Sequence, residues 1–345
     1  QMFRAKQRVT HAGLIFCPHA SGAYGVSEME KHIETVLGAN VGVFSGGVPE
    51  EFDDGNAAGR AGWTEYKEET LRRFKRNELP ILVCTKAFGM GIDISHIRYT
   101  VHTQLPPSIE AFYQEAGRAG RSREDSSCSL VLSNEHPTRA DDYLSPVKDI
   151  EEFRDPLRFR KKENKDDIDR LLYFHTQAFE GVSVELANVR CVLEAIGNLE
   201  KRRTVPLEWW NIQWPGMEIP KAADRKKMKA ADRKKMDAYL KNRLEKALYR
   251  LGTIGVVYDY TVNYAGSVIM VELSGADVDE IADWTVAYVR NYEPFMGLHI
   301  QEQIRGFDTS PLDKYIGAVA GEVIDFTYQE IEHNRRRSLR EMLLA

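Results

Sequence analysis

Residues 81–121 read ILVCTKAFGMGIDISHIRYTVHTQLPPSIEAFYQEAGRAGR. The apolar run Ile81-Leu82-Val83 predicts a buried strand that enters a turn at Thr85 and Lys86. The glycine-interrupted segment Gly89-Met90-Gly91-Ile92-Asp93 then falls where a parallel sheet presents its strand ends to a ligand. A second strand is expected over 99–102. Pro106-Pro107 follow, then Ser108, a residue suited to cap the first turn of a helix carrying Ile109, Ala111, Phe112 and Gln114. That helix should end at Gly117. Beyond it, Arg118 and Arg121 set two permanently charged, planar, five-donor groups three residues apart beside glycines, an arrangement suited to a phosphate.

Upstream, 13–17 is a short apolar run bounded by polar residues, hence a buried strand. A helix over 27–37 follows, with Met29, Ile33, Val36 and Leu37 on its apolar face. A strand over 41–44 is closed by Ser45-Gly46-Gly47, and a helix over 63–76 offers Tyr66, Leu71 and Phe74 for packing. The alternation of strand and helix predicts an α/β fold built on a doubly wound parallel sheet. The glycine-rich, acidic stretch 49–62 reads as an inserted surface loop, although its Gly59-Arg60-Ala61-Gly62 spells nearly the same motif as 117–121.

The two segments 85–93, TKAFGMGID, and 113–121, YQEAGRAGR, resemble motifs V and VI of superfamily two helicases, and the spelling is closest to the RecQ family of DNA helicases. By the same resemblance GLIFCPH at 13–19 corresponds to motif IV. VFSGG at 43–47 corresponds to the strand end where RecQ-like proteins usually carry His-Ala-Gly near the DNA backbone. The resemblance implies the second RecA-like lobe of a motor, with ATP and Mg2+ bound mainly by a first lobe upstream or in trans. It gives Arg121 the arginine-finger role on a transferring γ-phosphoryl group, Arg118 a second contact to that phosphate, and Gln114 a bridge from nucleotide or water to the helix. Asp93, Gly91 and Gly117 would lie on the nucleotide side. Asp93 has three readings: accepting a hydrogen bond from the ribose, coupling its loop to Arg121, or facing solvent from a turn. Thr85, Lys86, Gly89, Met90, Ser45 and Gly46 are candidates for gripping the backbone of a nucleic-acid strand, a contact that needs no base identity. His102 reads as an interior histidine rather than a catalytic base.

A complete motor also needs a Gly-x-x-x-x-Gly-Lys-Ser/Thr loop and an acidic pair such as Asp-Glu for magnesium. Neither is expected here, so the chain by itself should not hydrolyse ATP, and its start at Gln1 suggests a piece of something longer. The 345 residues suffice for two or three domains, and 43% hydrophobic with 29% charged residues is ordinary for a globular protein. A net charge of -5 means that any affinity for DNA must come from local clusters of Lys and Arg. No apolar run is long enough to cross a bilayer and no signal segment is evident, which makes the cytoplasm the expected location and a membrane an unexpected partner. The four cysteines Cys17, Cys84, Cys128 and Cys191 form no CxxC pair, so neither zinc nor any other structural metal is expected.

The lobe is expected over 1–140 and a charged helical linker over 141–182, with the basic run Arg158-Phe159-Arg160-Lys161-Lys162. A winged-helix module over 183–275 and a helical region over 276–345 complete the division. Trp209, Trp210 and Trp214 read as a packed aromatic loop, with base stacking as the alternative. KAADRKKM occurs twice in tandem, at 221–228 and 229–236, as either a solvated helix or a phosphate-binding face. Helix then hairpin at 237–273 is the layout of a winged helix. The resemblance thus implies a RecA-like parallel-sheet lobe followed by a mostly helical region with a winged-helix module. It lacks the four-cysteine zinc element and would engage DNA as a single strand and at a duplex junction. A non-motor nucleic-acid-binding or regulatory module, or an RNA helicase, is the alternative. The 276–345 tail, ending in His333-Asn334-Arg335-Arg336-Arg337, suggests packing or a weak nucleic-acid contact.

Overall fold

Short β-branched strands separated by helices pair in parallel, because each crossover returns the chain to the same end of the sheet. In the computed structural model, which describes residues 11–53, 57–89, 93–133, 135–161 and 165–344, this produces β1 (Ala12–Phe16), α1 (Val26–Leu37), β2 (Val41–Phe44), α2 (Ala57–Lys75), β3 (Ile81–Cys84), β4 (Ile97–His102), α3 (Ile109–Ala116) and β5 (Ser127–Leu130). The sheet order is β2-β3-β1-β4-β5, every pair parallel. The alternation of side chains sorts the core onto two faces. Leu14, Phe16, Phe74, Leu82 and Phe88 fill one, and Ile15, Val26, Val43, Trp63 and Val83 fill the other. Each such side chain, fully buried, contributes on the order of 1.5–3 kcal/mol.

Register puts Phe44, Cys84, Phe16 and His102 abreast at the carboxyl ends of four strands. The row is locked one residue further on. Cys17 N donates to Cys84 O at 2.7 Å, Thr85 N to Phe44 O at 3.1 Å, and Thr103 N to Phe16 O at 3.0 Å. A rigid ledge results, from which the following loops depart.

Three expectations about this region need correction. The first turns of α2 lie inside the stretch expected as loop, so Gly59-Arg60-Ala61-Gly62 is helical, and Trp63 is anchored by stacking on Tyr66 and against Phe52. Val36 and Leu37, expected on the apolar face of α1, are exposed at 65% and 48%. The linker is a folded part of the molecule: α4 (Pro137–Leu144), α5 (Ile150–Phe159) and α6 (Asp167–Ala178) bury Tyr143, Leu144, Phe153, Leu157, Ile168 and Leu172. Arg139 and Arg160 both bind Asp169, which is 2% exposed.

The chain divides into two compact units, one made of residues up to Lys148, Glu152–Ala178 and the stretch from Arg335, the other of Asp149–Glu151 and Phe179–Asn334. These bounds differ from those read from the sequence, because the linker clusters with the sheet and the tail is divided.

The second unit contains α7 (Val182–Ile196), β6 (Arg203–Glu208), α8 (Ala222–Arg225), α9 (Ala230–Thr253), β7 (Val257–Asn263), β8 (Val268–Leu273), α10 (Val278–Arg290), α11 (Met296–Arg305) and α12 (Leu312–Phe326). Its antiparallel sheet runs β6-β8-β7. Helix, strand, two helices and a hairpin whose second strand pairs with the first strand is the element order of a winged helix. Trp209, Trp210 and Trp214 are packed as expected. The first two donate their ring N–H to Asp237 Oδ1 at 2.9 and 2.7 Å, and the third donates to Trp209 O at 3.0 Å, which leaves no ring face for a base. The tandem octads adopt different structures, the first only the single turn α8 and the second the opening of α9. The sequence does contain an Asp-Glu pair, Asp279-Glu280, but it lies in the first turn of α10, where Glu280 closes a capping box with Asp277.

The last helix, α13 (His333–Leu344), brings Arg336 into the sheet unit at 0% exposure. Its guanidinium donates to the carbonyls of Tyr143, Ser145 and Lys148 at 3.3, 2.6 and 2.7 Å, capping the end of α4. That arginine of the tail is a packing element. Among the described residues no helix is long and apolar enough to cross a membrane, and no cluster of His, Cys, Asp or Glu could hold a metal ion.

Candidate functional site

The site is assembled where the ledge meets α3. Ser108 caps that helix as expected, its hydroxyl accepting from Ala111 N at 3.2 Å, and Gly117 closes it. The chain then turns through Gly120, whose φ of +75° is a left-handed conformation, and a Cβ there would meet Ser126 Oγ at 2.7 Å. Gly120 N donates to Ile97 O at 3.2 Å, which ties the turn to the start of β4. Arg98 on β4 reinforces it, donating to Ser122 Oγ at 2.8 Å and pairing with Glu124. Gly120 and Arg98 were not singled out from sequence. The positive φ of Gly120 is the signal that its place between two arginines could have given. Gly120→Val is expected to cost about 1–2 kcal/mol from the backbone alone, read as a lower denaturation midpoint.

The two arginines land in different surroundings. Arg121 is half-exposed, and its Nη1 donates to Asp93 Oδ1 at 2.6 Å. Asp93 thus pairs with Arg121 while its side chain stays 84% exposed to solvent. Arg118 is 8% exposed, and its guanidinium is held below the usual arginine range by burial and by the neighbouring charge of Arg121, with Cys84 and Glu115 acting in the opposite sense. It thus lies against the end of β3 and the last turn of α3. Gln114 is exposed on α3.

On the strand side, Thr85 is buried and its hydroxyl accepts a long bond from Gly46 N at 3.4 Å, joining the ends of β2 and β3. Lys86 is exposed at the start of a 3-10 turn, Lys86–Gly89, that ends at the candidate Gly89. Met90 and Gly91 lie outside the described residues. Ser45 needs correction as a strand-binding hydroxyl: it is 0% exposed and donates to Gly47 O at 2.5 Å, so its oxygen serves its own loop. Gly46 is exposed. His102 is interior as expected, stacked on Phe16 with centroids 5.0 Å apart, and its Nδ1 lies 3.1 Å from Glu115 Oε2. Glu115 thus joins α3 to β4, a link that the spacing of the two residues in sequence does not announce.

The helicase conserved C-terminal domain matches residues 5–123, an interval that contains both motifs and the ledge. The ATP-dependent DNA helicase RecQ of Bacillus subtilis is 49% identical over 69 residues, covering 20% of this chain and 12% of that protein. The matched region is similar to the C-terminal domain of RecQ-like helicases. The probable ATP-dependent DNA helicase RecS of the same organism extends the likeness beyond this RecQ-like domain, at 29% identity over 163 residues, covering 46% of this chain and 29% of that protein. Among solved structures, domain 2 of the DEAD-box helicase Mss116p bound to an RNA duplex covers 43% of this chain and 62% of that chain at 16% identity, with a TM-score of 0.29. The RecA-like arrangement of the RecQ-like domain is read from its own strand order. The chain spans less than a third of the length of either curated relative.

Proposed function

We propose that the chain is the C-terminal half of an ATP-dependent, RecQ-like DNA helicase, in which its arginine pair completes an ATP site carried by a first RecA-like lobe. The observation that supports this most directly is the pairing of Arg121, on the turn tied to the start of β4, with Asp93, whose side chain is 84% exposed. An ion pair so open to water is worth no more than about 1 kcal/mol, so the guanidinium can exchange that carboxylate for a phosphate. Arg118, partly desolvated behind it, adds fixed positive charge at short range. ATP and Mg2+ would enter with the other lobe, which supplies the phosphate cradle that these 345 residues do not spell and the metal ligands, since Glu280 of the Asp279-Glu280 pair is committed to capping α10.

In this reading Lys86, the 3-10 turn after β3 and the exposed Gly46 grip a single strand through its backbone. The winged-helix module meets the duplex junction. The octads offer eight basic residues against two acidic ones between 221 and 235, almost all exposed. Changing Lys226, Lys227, Lys234 and Lys235 to Gln should weaken DNA binding. The slope of log K against log salt should become shallower by roughly 3–4 if each lysine neutralises one phosphate. Fluorescence anisotropy across a salt series measures this, and an unchanged slope would return the octads to a solvated surface.

The overall test is DNA-stimulated ATP hydrolysis by the chain joined to a first lobe bearing the phosphate-binding loop. The joined protein should turn over ATP, and neither half alone should. A joined, folded protein that binds ATP and DNA without hydrolysis would overturn the proposal.

A further inference from the structure

On the face of the sheet covered by α3, two buried polar atoms have no in-line hydrogen-bond partner: Thr100 Oγ1 and His102 Nε2. Their residues are 0% and 1% exposed. They lie two residues apart on β4, so both point to one face. β5 pairs in parallel with β4 so that Thr100 is opposite Cys128 and His102 opposite Leu130. Cys128 is therefore directly across from the one and diagonal to the other, on the same face. Cys128 is exposed, whereas Cys17 and Cys84 are buried and Cys191 is half-buried. Behind the imidazole, Glu115 holds Nδ1, so the ring is oriented from one side while its other nitrogen is left over.

The geometry points to Cys128 as a reactive thiolate, a covalent modification site for soft electrophiles and hydroperoxides, activated by His102 and Thr100 with Glu115 orienting the imidazole. An orphaned hydroxyl and an orphaned ring nitrogen, both desolvated and converging on one sulfur, supply the donors that a thiolate needs. Titration agrees. Burial raises the Cys128 thiol, but His102 first and then Thr100 outweigh it and leave it below its usual value, with Glu115 opposing. Burial alone would depress His102, yet Cys128 and Glu115 carry it up to about 9. These directions describe a sulfur and an imidazole that each favour the other's charged form. Burial raises both Cys17 and Cys191, the opposite behaviour.

With a hydroperoxide, the sulfur lone pair attacks the terminal oxygen, an S–O bond forms and the O–O bond breaks. The sulfur is oxidised to sulfenic acid and the peroxide is reduced. The departing oxyanion takes its proton from the His102 imidazolium, leaving neutral imidazole and water or an alcohol. With an alkyl halide, the S–C bond forms as halide leaves.

The test is alkylation of the folded chain by iodoacetamide, with the four cysteines resolved by peptide mass and the rate followed from pH 5 to 10. Cys128 should react first, and its rate should reach half-maximum well below the value of about 8.5 of an ordinary thiol. At pH 7 it should exceed the same cysteine in the unfolded chain several-fold. Thr100→Val and His102→Gln should each move the half-maximum upward. Hydrogen peroxide should add one oxygen, trapped by a sulfenate-specific nucleophile, at Cys128 before Cys191. A Cys128 profile that coincides with that of the unfolded chain overturns the inference, and so does a Thr100→Val profile identical to wild type. If His102→Gln fails to fold, the wild-type and Thr100→Val profiles still decide.

Discussion

Arg121→Ala, in the chain joined to a first lobe, is expected to lower ATP turnover about a thousandfold with DNA affinity nearly unchanged. The loss corresponds to about 4 kcal/mol of transition-state stabilisation. That magnitude follows from what the guanidinium does at each stage. In the free chain it engages an exposed carboxylate across 2.6 Å, an interaction of little net worth, so the alanine variant should fold and melt almost as the wild type does. Its contribution would come only when charge spreads over the γ-phosphoryl oxygens in a closed, water-poor cleft. Arg121→Lys should recover little, because an ammonium cannot reproduce the two-pronged donor geometry. Asp93→Ala should move stability by less than about 1 kcal/mol. Steady-state kcat, with DNA affinity measured in parallel, separates these cases, and an Arg121→Ala kcat equal to wild type removes the arginine-finger assignment.

Four of the five strands were legible because they are short apolar runs and the helix ends carry local signals, whereas β5, Ser127–Leu130, has no such run and was not read. Ser108 and Gly117 cap α3 where the residue types say they should. Composition misled where tertiary contacts overrode it. Three glycines and three acidic residues between 51 and 62 look like a loop, yet Trp63 packing on Phe52 and Tyr66 draws the residues from Ala57 into α2. Charge misled in the same way over 141–182. Arg160 read as part of a charged linker, and only the fold reveals that it joins Arg139 in neutralising the buried Asp169. Arg336 is the sharpest case, because the middle of a run of three arginines is buried on carbonyls nearly 190 residues away in sequence. At the candidate site the motif spelling singled out Arg118, Arg121 and Asp93. It could not show that Asp93 and Arg121 are paired, that Arg118 is buried, or that the Ser45 hydroxyl is already committed. Those facts depend on which neighbour a side chain reaches, and residue type alone does not encode it. The tandem octads make the same point, since eight identical residues form one isolated turn in the first copy and the start of a 24-residue helix in the second.

Glu185→Ala is expected to destabilise the second unit by about 3–5 kcal/mol, because it leaves a buried arginine without its counter-charge. Glu185 on α7 is 4% exposed and Arg250 on α9 is 7% exposed. The guanidinium grips the carboxylate at 2.8 Å through Nε and 2.7 Å through Nη2, and it donates at 3.1 Å to Thr327 Oγ1. Tyr328 completes the knot, donating to Glu185 Oε1 at 2.6 Å while accepting from Gly181 N at 2.7 Å, and burial first, then the Glu185 carboxylate, push its phenol well above the usual range. One carboxylate therefore joins α7, the long helix of the winged-helix module, and the turn that follows α12. Its removal strands several donors at once in a place water does not reach. An exposed pair such as Lys227 with Asp224, 3.2 Å apart and 78% and 59% exposed, gives the contrast, since Asp224→Ala should change stability by less than about 1 kcal/mol. Urea unfolding followed by tryptophan fluorescence suits the comparison, because Trp209, Trp210 and Trp214 are all buried in this unit. Against a whole-domain stability of about 5–15 kcal/mol, a loss of the expected size would leave the winged-helix module only marginally folded. With DNA bound by this module as proposed, its affinity should then fall on warming although no residue proposed to face the nucleic acid has changed. A Glu185→Ala midpoint close to that of Asp224→Ala would mean that the buried pair contributes no more than an exposed one, and the module would owe its cohesion to the apolar contacts of α7, α9 and α12 alone.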